Sequence, residues 1–506
     1  MSTETEVRAQ VFAHLRGIVL VPVVKALCDR GIFELFSTPG AWVDLDRIVA
    51  KTRANRGYLK VALRLLVSAG WLNWQNGTSF SLTPEGSAAL QTPQLYREIA
   101  AFIPTAIFLE DFLFARSQER SQGSVPPALQ TAHGIVIGPT MVALARKGIL
   151  SRLQEGPLDL ASIDGNQACL SALFDLLAGE GWVHREGNRI SLTPAGNHAA
   201  SFAYTYGITV SYLPMFSVVS TLMFGNPRIP RTDDNGVELL VNRAMNVWAA
   251  AGAHKEHFAK GDDILIEIFN RPLELQPAGV CDMGCGDGTF LEHVWNVVRA
   301  RTARGKVLDE YPLLIIGADF NKVSRRVTKQ NFKRAQIPHS HVINGDINRP
   351  ALLAGDLEEL GVDIHDLLHI RAFIDHNRSW LQPSGYVRGT RQGHSTGAFA
   401  HLGEEISADE LEENLVRHLR KWAPYVGHFG LLVLELHTIP PELAAANPDE
   451  TPAVTYDAVN GFSDQYPVEL QVFLDCAREA GLHADRRFPA FPLQTVSVNY
   501  FRAPQA

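Results

Sequence analysis

The N-terminal half of the chain repeats one alternation of apolar and polar positions. Each copy has apolar residues at helical spacing, then a Gly-Trp step and a short apolar hairpin that ends in SLTP. The copies align Gly31 with Gly148, Gly70 with Gly181 and Pro84 with Pro194. Helices followed by a hairpin are typical of a winged helix. We therefore predict one winged-helix-like repeat over residues 1–100 and, after a linker with a Ser/Gln/Arg-rich loop at 117–127, a second within 101–200.

From about residue 262 the pattern changes to short apolar runs that alternate with helical stretches. The runs include AGVCDMG, LLIIGADF, HVINGD, DLLHIRAF and GLLVLELH, and an amphipathic stretch with two strand-like runs follows near the C-terminus. Strand–helix alternation predicts a mostly parallel sheet with helices on both faces. We therefore predict an α/β fold with a Rossmann-like core over 261–506, preceded by a helical lid or connector over 201–260 and a mostly helical N-terminal half.

The charge distribution argues against DNA binding by the repeats. The candidate recognition helix of the first copy carries Arg53, Arg56, Lys60 and Arg64, whereas the matching stretch 163–177 carries two aspartates and no basic residue. Over the whole chain, 46 Lys and Arg oppose 54 Asp and Glu, which gives a formal net charge of −8. Because a groove-binding helix needs positive charge, we expect no nucleic-acid partner and interpret the repeats as a helical interaction or lid module.

The cysteines, the N-terminus and the apolar runs indicate the cellular compartment. The five cysteines are scattered and form no CxxC pair, so we expect reduced thiols rather than a disulfide framework. The N-terminus lacks a basic region followed by an apolar core, which predicts no signal peptide. Residues 199–225 contain no charged residue but many Ser, Thr and Tyr. We expect a cytoplasmic protein without a membrane span, either a free-standing enzyme or an excised domain.

A glycine-rich run, Val280-Cys-Asp-Met-Gly-Cys-Gly-Asp-Gly-Thr289, lies between a predicted strand and a predicted helix. Its pattern is D-x-G-C-G-x-G and not the G-x-G-x-x-G of dinucleotide sites. Gly284, Gly286 and Gly288 allow the backbone to approach a ligand closely. Asp282 at the strand end is placed to face a cationic group, such as an amine or a sulfonium. The run therefore predicts a cofactor site.

Two further acidic residues follow the next two strands. Asp319 ends LLIIGADF, in position to accept both hydroxyls of a ribose, and Asp346 with Ile347 ends HVINGDI, in position for an adenine amino group. The carboxyl ends of parallel strands line one crevice, where open α/β sheets bind ligands. Together with Asp282, this arrangement resembles the class I S-adenosylmethionine-dependent methyltransferases, and the resemblance implies S-adenosylmethionine as the cofactor.

A second group of polar side chains follows the fourth and fifth strands. His376 lies after DLLHIRAF, His437 directly follows GLLVLEL, and Gln465 lies in the segment TYDAVNGFSDQY. Two imidazoles and an amide oxygen form a set that suits a divalent metal with open positions, such as Fe²⁺ or Mn²⁺. The alternative is a metal-free pocket in which His376 or His437 is the general base.

Five segments of the C-terminal half resemble one family closely: EIFNRPLELQPAGVCDMGCGDGTFLEHV, RGKVLDEYPLLIIGADFN, LLHIRAFIDHN, LVLELHTIPPE and GFSDQYPVELQVF. They are similar to the methyltransferase domains of polyketide-synthase initiation modules of the apratoxin and saxitoxin type, over about residues 250–485. The resemblance implies a mononuclear metal held by His376 and Gln465, with His437 as a third ligand or a base. It also implies C-methylation of a carrier-linked malonyl group; more distant relatives C-methylate free 2-oxo acids.

Tyr456 and Asn460 complete the candidate catalytic residues. The sequence departs from the family at Asn377, where we expect Asp, and at Asn460, where we expect His, and both changes remove a titratable group. We expect metal-assisted C-methylation of a carrier-linked malonyl or a β- or 2-oxo carbonyl substrate, with general-base O- or N-methylation of a small natural product as the alternative. A catalytically inactive scaffold and a winged-helix regulator are the non-enzyme alternatives. The expected partner is a small-molecule or acyl-carrier-protein-linked substrate, and a homodimer is left open.

Overall fold

The computed structural model describes residues 3–36, 40–114, 133–229, 231–233, 237–489 and 492–502. They form two compact units, each built from three segments of the chain. Unit 1 comprises Met1–Ala250, Leu402–Glu405 and Pro440–Ser463, and unit 2 comprises Ala251–His401, Ile406–Ile439 and Asp464–Ala506. The loop predicted at 117–127 lies outside the described residues.

Unit 1 is mainly helical and contains two small sheets. Its elements are α1 (Thr3–Asp29), β1 (Val43–Asp44), α2 (Leu45–Thr52), α3 (Arg56–Ser68), β2 (Leu72–Gln75), β3 (Ser79–Leu82), α4 (Pro84–Ala89), α5 (Pro93–Ala100), α6 (Ile103–Ile107), α7 (Leu109–Phe114), α8 (His133–Arg146), α9 (Ile149–Glu155), β4 (Leu158–Asp159), α10 (Gln167–Gly179), β5 (Val183–Glu186), β6 (Arg189–Leu192), α11 (Pro194–Ser201), α12 (Ala203–Val210), α13 (Leu213–Ser217) and α14 (Val219–Phe224). Helix α15 (Arg243–Phe258) follows, and its residues from 251 onward belong to unit 2.

The two repeats have the same topology, as the aligned sequence copies predict. The strand orders are β1-β3-β2 and β4-β6-β5, all antiparallel. In the first repeat the side chain of Thr83 accepts from the N–H of Gly86 at 2.9 Å and caps α4. A Cβ at Gly86 would clash with the carbonyl oxygen of Trp71. Thr193 and Gly196 repeat this arrangement at the start of α11, so the shared SLTP motif is a turn followed by a helix cap.

The basic residues of α3 form ion pairs with acidic residues of unit 1. Arg56 and Lys60 both form ion pairs with Glu405. Arg64 is 3% exposed and pairs with Asp457. These three side chains therefore stabilise the packing of α3 against later segments of the same unit.

Helix α1 is long and apolar enough, by length and composition, to cross a membrane. Its most apolar 18-residue window has a mean hydropathy of 1.8, and 72% of that window is buried inside the protein. Residues Val11, Leu15 and Ile18 of this helix are almost fully buried in the main core of unit 1. The sequence analysis did not single out this apolar run. Its burial is that of a core helix of unit 1.

Two helices beyond the predicted domain boundary also belong to unit 1. They are α21 (Pro441–Ala446) and α22 (Ala453–Phe462). The ring of Phe462 lies 5.8 Å from that of Tyr58 on α3, and a Cβ at Gly461 would meet the side chain of Val61. The chain from 261 to 506 is therefore not one compact unit, because this insertion buries its apolar face on α3.

Unit 2 contains the predicted α/β core. Its elements are the end of α15, α16 (Asp262–Phe269), β7 (Gly279–Met283), α17 (Thr289–Arg301), β8 (Leu314–Asp319), α18 (Lys322–Arg334), β9 (Ser340–Asn344), α19 (Pro350–Glu359), β10 (Leu367–Ala372), β11 (Phe399–His401), β12 (Glu404–Ile406, whose first two residues belong to unit 1), α20 (Ala408–Trp422), β13 (Leu431–Leu436), α23 (Leu470–Glu479), β14 (His483–Pro489) and β15 (Val496–Arg502).

The main sheet has seven strands in the order β14-β15-β13-β10-β7-β8-β9. The five strands from β13 to β9 are parallel, and β15 pairs antiparallel with both β13 and β14. One hydrophobic cluster, which includes Leu415 and Trp422, covers one face, and a second, which includes Phe290 and Leu291, covers the other. The predicted fold class is confirmed, and the carboxyl ends of five parallel strands meet at one edge.

Candidate functional site

The glycine-rich run forms the loop between β7 and α17 at this edge of the sheet. The N–H groups of Gly284 and Cys285 donate to the carbonyl of Ala318 at 2.8 and 3.1 Å, which fastens the loop to β8. Gly284, Gly286 and Gly288 have φ angles of +89°, +58° and +82°, a region that favours glycine. Apart from Gly286 itself and its two chain neighbours, no described residue has an atom within 4 Å of where a Cβ of Gly286 would stand. The loop therefore presents open backbone on this side.

Asp282, near the end of β7, is buried with an unpartnered carboxylate oxygen. Its Oδ1 has no hydrogen-bond partner in the part of the chain that the structure describes, and the residue is 1% exposed. Burial, together with the nearby charge of Asp319, raises the pKa of Asp282 well above its usual range. A cationic group beside the carboxylate would offset that burial, so the position suits an amine or a sulfonium.

Asp319 joins the end of β8 to the glycine loop. Its Oδ2 accepts from the N–H of Gly286 at 3.0 Å, and its Oδ1 accepts from the N–H of Asn321 at 2.7 Å. These bonds orient the carboxylate along the edge of the loop. The next residue, Phe320, is 77% exposed and offers a flat apolar surface beside the carboxylate. Together with the orphaned oxygen of Asp282, these features suit the ribose and base of a nucleoside.

Asp346 follows β9 and has local partners. Its Oδ1 accepts from the backbone and side-chain amides of Asn348, both at 2.9 Å. Ile347 is buried, and its carbonyl accepts from the indole N–H of Trp422 at 2.7 Å. Asp346 therefore stabilises its own turn, and its contact with an adenine amino group stays a prediction.

His376 and Glu435 form a buried pair between the ends of β10 and β13. The Nδ1 atom of His376 lies 2.6 Å from Oε1 of Glu435. The other carboxylate oxygen of Glu435 accepts from the N–H of Asp375 at 2.8 Å and of His376 at 3.3 Å. The described residues provide no hydrogen-bond partner to Nε2 of His376. A carboxylate on Nδ1 keeps the proton there, so Nε2 carries the lone pair that can accept a proton.

A fully buried cluster of charged side chains adjoins this pair through Asp375, the residue before His376. Asp375 accepts from Arg371 at 2.7 Å and lies 2.9 Å from Nε2 of His418. The guanidinium of Arg371 lies 4.0 Å above the ring of Trp422. Because Asp375 directly precedes His376, the cluster fixes the backbone from which the histidine projects.

His437 is buried, and both of its ring nitrogens lie near polar atoms of the protein. Its Nε2 lies 2.7 Å from the hydroxyl of Ser497, and its Nδ1 lies 3.1 Å from the carbonyl of Val468. It is 3% exposed, and burial lowers its pKa to about 4. Both ring nitrogens thus have partners inside the protein, and the role of His437 as a third metal ligand or a base stays a prediction.

The residue after Gln465 contacts the backbone of His376. The following residue, Tyr466, donates its N–H to the carbonyl of His376 at 2.7 Å. Gln465 itself is 8% exposed and has partners of its own. The segment that carries Gln465 is therefore attached directly to the turn that carries His376.

The predicted metal set does not fit the side chains present. Within the described residues, no group of three or more His, Cys, Asp or Glu side chains converges in a way that could hold a metal ion. With His437 engaged and Nδ1 of His376 on Glu435, the set is reduced to one nitrogen of His376 and the amide of Gln465. Catalytic zinc sites, for comparison, use three protein ligands, and this pair supplies only two.

Tyr456 and Asn460 lie on α22 in unit 1. Asn460 is 5% exposed, and the neighbouring Asp457 forms the ion pair with Arg64 described above. Their catalytic role stays a prediction.

Sequence reasoning missed three residues that the structure brings to this edge. Glu435 lies inside the apolar run LLVLEL, where a lone acid was the available signal. Phe373 follows β10 with a φ of +57°, an uncommon conformation for a bulky residue. The ring of His254 on α15 stacks on Phe373 with centroids 3.9 Å apart. Burial, with the charges of His257 and His376, lowers the pKa of His254 to about 3, so it is a neutral imidazole at physiological pH.

Comparison with known families identifies three matching segments. The AprA MT2-like domain matches residues 238–499, which is more than half of the chain. The AprA N-terminal domain matches residues 7–74, and the AprA winged helix domain matches residues 133–226.

The individual proteins that resemble this chain have low sequence identity to it. The chain is 24% identical over 237 residues to the 2-ketoarginine methyltransferase of Streptomyces arginensis. The aligned region covers 46% of this chain and 66% of that protein. Among solved structures, the mitomycin 7-O-methyltransferase MmcR is similar with a TM-score of 0.44 and 12% identity, covering 74% of this chain and 96% of that one. PigF with SAH is similar with a TM-score of 0.43 and 14% identity, covering 74% and 98%.

Proposed function

The chain belongs to the AprA MT2-like family of methyltransferase domains, and on this premise we propose that it transfers the methyl group of S-adenosylmethionine to an acceptor that His376 deprotonates. The observation that carries the proposal is the 2.6 Å contact between His376 Nδ1 and Glu435. This pair lies at the same edge of the sheet as the glycine loop.

The residues around the glycine loop suit S-adenosylmethionine, which supplies an electrophilic methyl group on a sulfonium. We assign Asp282 to the cationic end of this ligand because its buried Oδ1 lacks a partner among the described residues. We assign Asp319 to the ribose because its carboxylate is already oriented by the N–H of Gly286. Phe320 offers its exposed ring to the base.

Replacing Asp319 with alanine is expected to weaken S-adenosylmethionine binding by about 1–3 kcal/mol, because the ribose hydroxyls lose a charged acceptor. Isothermal titration calorimetry measures this change. Asp309→Ala, which removes an exposed acid in the loop before β8, is the matched control and should bind as the wild type does. Unchanged affinity in Asp319→Ala would contradict the assignment of Asp319.

His376 is the proton acceptor in the proposed reaction. Its Nε2 takes a proton from the acceptor, and the electron pair left on the acceptor forms the new bond to the methyl carbon as the carbon–sulfur bond breaks. Glu435 stabilises the imidazolium that forms, in the way that a carboxylate on Nδ1 supports other catalytic histidines. The products are the methylated acceptor and S-adenosylhomocysteine, and the proton leaves His376 to solvent.

We propose that the acceptor atom is a carbon next to a carbonyl, as in a 2-oxo acid or a malonyl thioester. The curated relative is named for a 2-oxo acid, and such C–H groups are acidic enough for a histidine base to assist. His254, neutral and stacked on Phe373, is available to hydrogen-bond the carbonyl oxygen. A hydroxyl acceptor would use the same base, so the atom that receives the methyl group has to be determined directly.

Methyl transfer from S-adenosylmethionine with a ¹³C-labelled methyl group tests this proposal. Malonyl thioesters, 2-oxo acids and hydroxylated aromatic compounds are offered as acceptors, with and without a chelator, and mass spectrometry with NMR locates the label. We expect the label on carbon and no effect of the chelator. Label on oxygen alone would contradict C-methylation, and activity that falls on chelation and returns with Fe²⁺ or Mn²⁺ would contradict a metal-free reaction.

A further inference from the structure

Helix α18 carries an unusual concentration of positive charge. Its sequence, KVSRRVTKQNFKR, contains six basic residues and no acidic one, in a chain whose formal net charge is −8. Four of the six, which we call the basic stripe, are exposed and recur at i, i+4, i+7 and i+11: Lys322, Arg326, Lys329 and Lys333. At about 1.5 Å per residue, they form one row about 16 Å long.

The basic stripe is not neutralised by the protein's own carboxylates. None of its four side chains forms an ion pair within the described residues, whereas exposed cations elsewhere in unit 2 do, for example Arg388 with Glu410 and Arg478 with Asp475. The fifth cation near it, Arg325, is used internally, because its Nη1 donates to the carbonyls of Asp319 and Phe320. Four adjacent unpaired cations repel one another weakly in water, and an anionic partner would replace that repulsion with attraction.

The helix that carries the stripe begins beside the cofactor site and is attached to the glycine loop. Asn321 caps the helix by accepting from the N–H of Val323 at 2.7 Å. The buried face of α18 carries Thr328, whose hydroxyl donates to the carbonyl of Gly286 at 2.9 Å, and Phe332. Lys322 comes only three residues after Asp319. A partner bound along the stripe would therefore reach the edge where the cofactor residues end at the Lys322 end of the helix.

We propose that the basic stripe is the docking surface for an acidic protein domain that presents the methyl acceptor. The proposal rests on the proposed function, since it names how the acceptor reaches that site. A row of separate charges about 16 Å long matches carboxylates spaced along a partner helix, whereas a single phosphate needs donors that converge on one point. The net negative charge of the chain disfavours a nucleic acid. Steering by such a row raises the association rate and makes it sensitive to salt.

The test compares one acceptor group in two forms. Malonyl loaded on an acyl carrier protein, which is acidic, is compared with malonyl on free pantetheine, which has no protein surface. The variant is Arg326→Glu/Lys329→Glu/Lys333→Glu. The control is Arg189→Glu/Arg228→Glu/Lys421→Glu, which reverses three exposed cations elsewhere and changes the net charge equally.

We expect the stripe variant to lose on the order of 10- to 100-fold in kcat/KM for the carrier-loaded acceptor at low ionic strength. The pantetheine form should be unaffected, and the control variant should behave as the wild type with both forms. Equal losses with both acceptor forms, or no loss with the carrier form, would overturn the proposal.

Binding distinguishes failure of this proposal from failure of the proposed function. If the wild type methylates neither acceptor, fluorescence anisotropy with labelled carrier protein still measures docking. Salt-dependent binding that the stripe variant loses and the control keeps supports the docking surface alone. Absence of binding to the wild type, or stronger binding of duplex DNA than of the carrier protein to the stripe, overturns it.

Discussion

Replacing His376 with alanine is expected to lower kcat by about 10²–10⁴-fold, the usual contribution of a positioned general base. The reason is that Nε2 of His376 is the proton-accepting atom, held in place by the 2.6 Å contact of Nδ1 with Glu435. Affinity for S-adenosylmethionine should be unchanged, because the residues assigned to the cofactor lie on β7 and β8. Single-turnover kinetics with a saturating acceptor, together with calorimetry of cofactor binding, measure the two effects separately.

Two further variants sharpen this test. Glu435→Gln keeps a hydrogen-bond acceptor beside Nδ1 but removes the charge that stabilises the imidazolium, so we expect a smaller loss of kcat. His437→Gln should retain most of the activity, because the nitrogens of His437 bond to Ser497 and Val468. A larger loss of kcat in His437→Gln than in His376→Ala, in proteins of equal thermal stability, would contradict the assignment of the base.

The fold could be predicted from local patterns because each pattern reports on a nearby physical requirement. The alternation of apolar runs and helical stretches after residue 262 predicted the parallel sheet, since buried strands and amphipathic helices differ in period. The repeated SLTP motif predicted two equivalent hairpins, because Thr83 and Thr193 cap equivalent helices. The glycine-rich run and Asp282 were likewise visible, since backbone with positive φ favours glycine.

The parts of the site that sequence could not supply depend on partners far apart in the chain. Glu435 reaches His376 across 59 residues, and His437 is occupied by Ser497 across 60. An acid in an apolar strand signals that a partner exists but not which one. For the same reason the internal partners of His437 could not be read from its position next to a predicted strand end. The assignment of 440–463 to unit 1 also depends on distant packing, between Phe462 and Tyr58.

Replacing Asp375 with alanine is expected to destabilise unit 2 by about 3–5 kcal/mol, because it leaves the guanidinium of Arg371 buried without its carboxylate. Both side chains are 1% exposed, and His418 loses the same partner. Burial alone would raise the pKa of Asp375, but the charge of Arg371 and the hydrogen bond from His418 lower it to about 2. The folded pKa is below the unfolded value of about 3.9, so this stabilisation is present above that value and is lost as the pH falls toward 2.

The chain provides a matched control for this effect. Arg478 and Asp475 form an ion pair of the same length, 2.7 Å, but their side chains are 67% and 45% exposed. Asp475→Ala should therefore change the free energy of unfolding by less than about 1 kcal/mol. Differential scanning calorimetry at pH 7 measures both variants, and we expect a melting temperature lower by on the order of 10 °C for Asp375→Ala alone. Equal shifts in the two variants would mean that burial does not set the strength of this pair. The double variant Asp375→Leu/Arg371→Met should recover much of the free energy of unfolding that Asp375→Ala loses, since it removes both buried charges together.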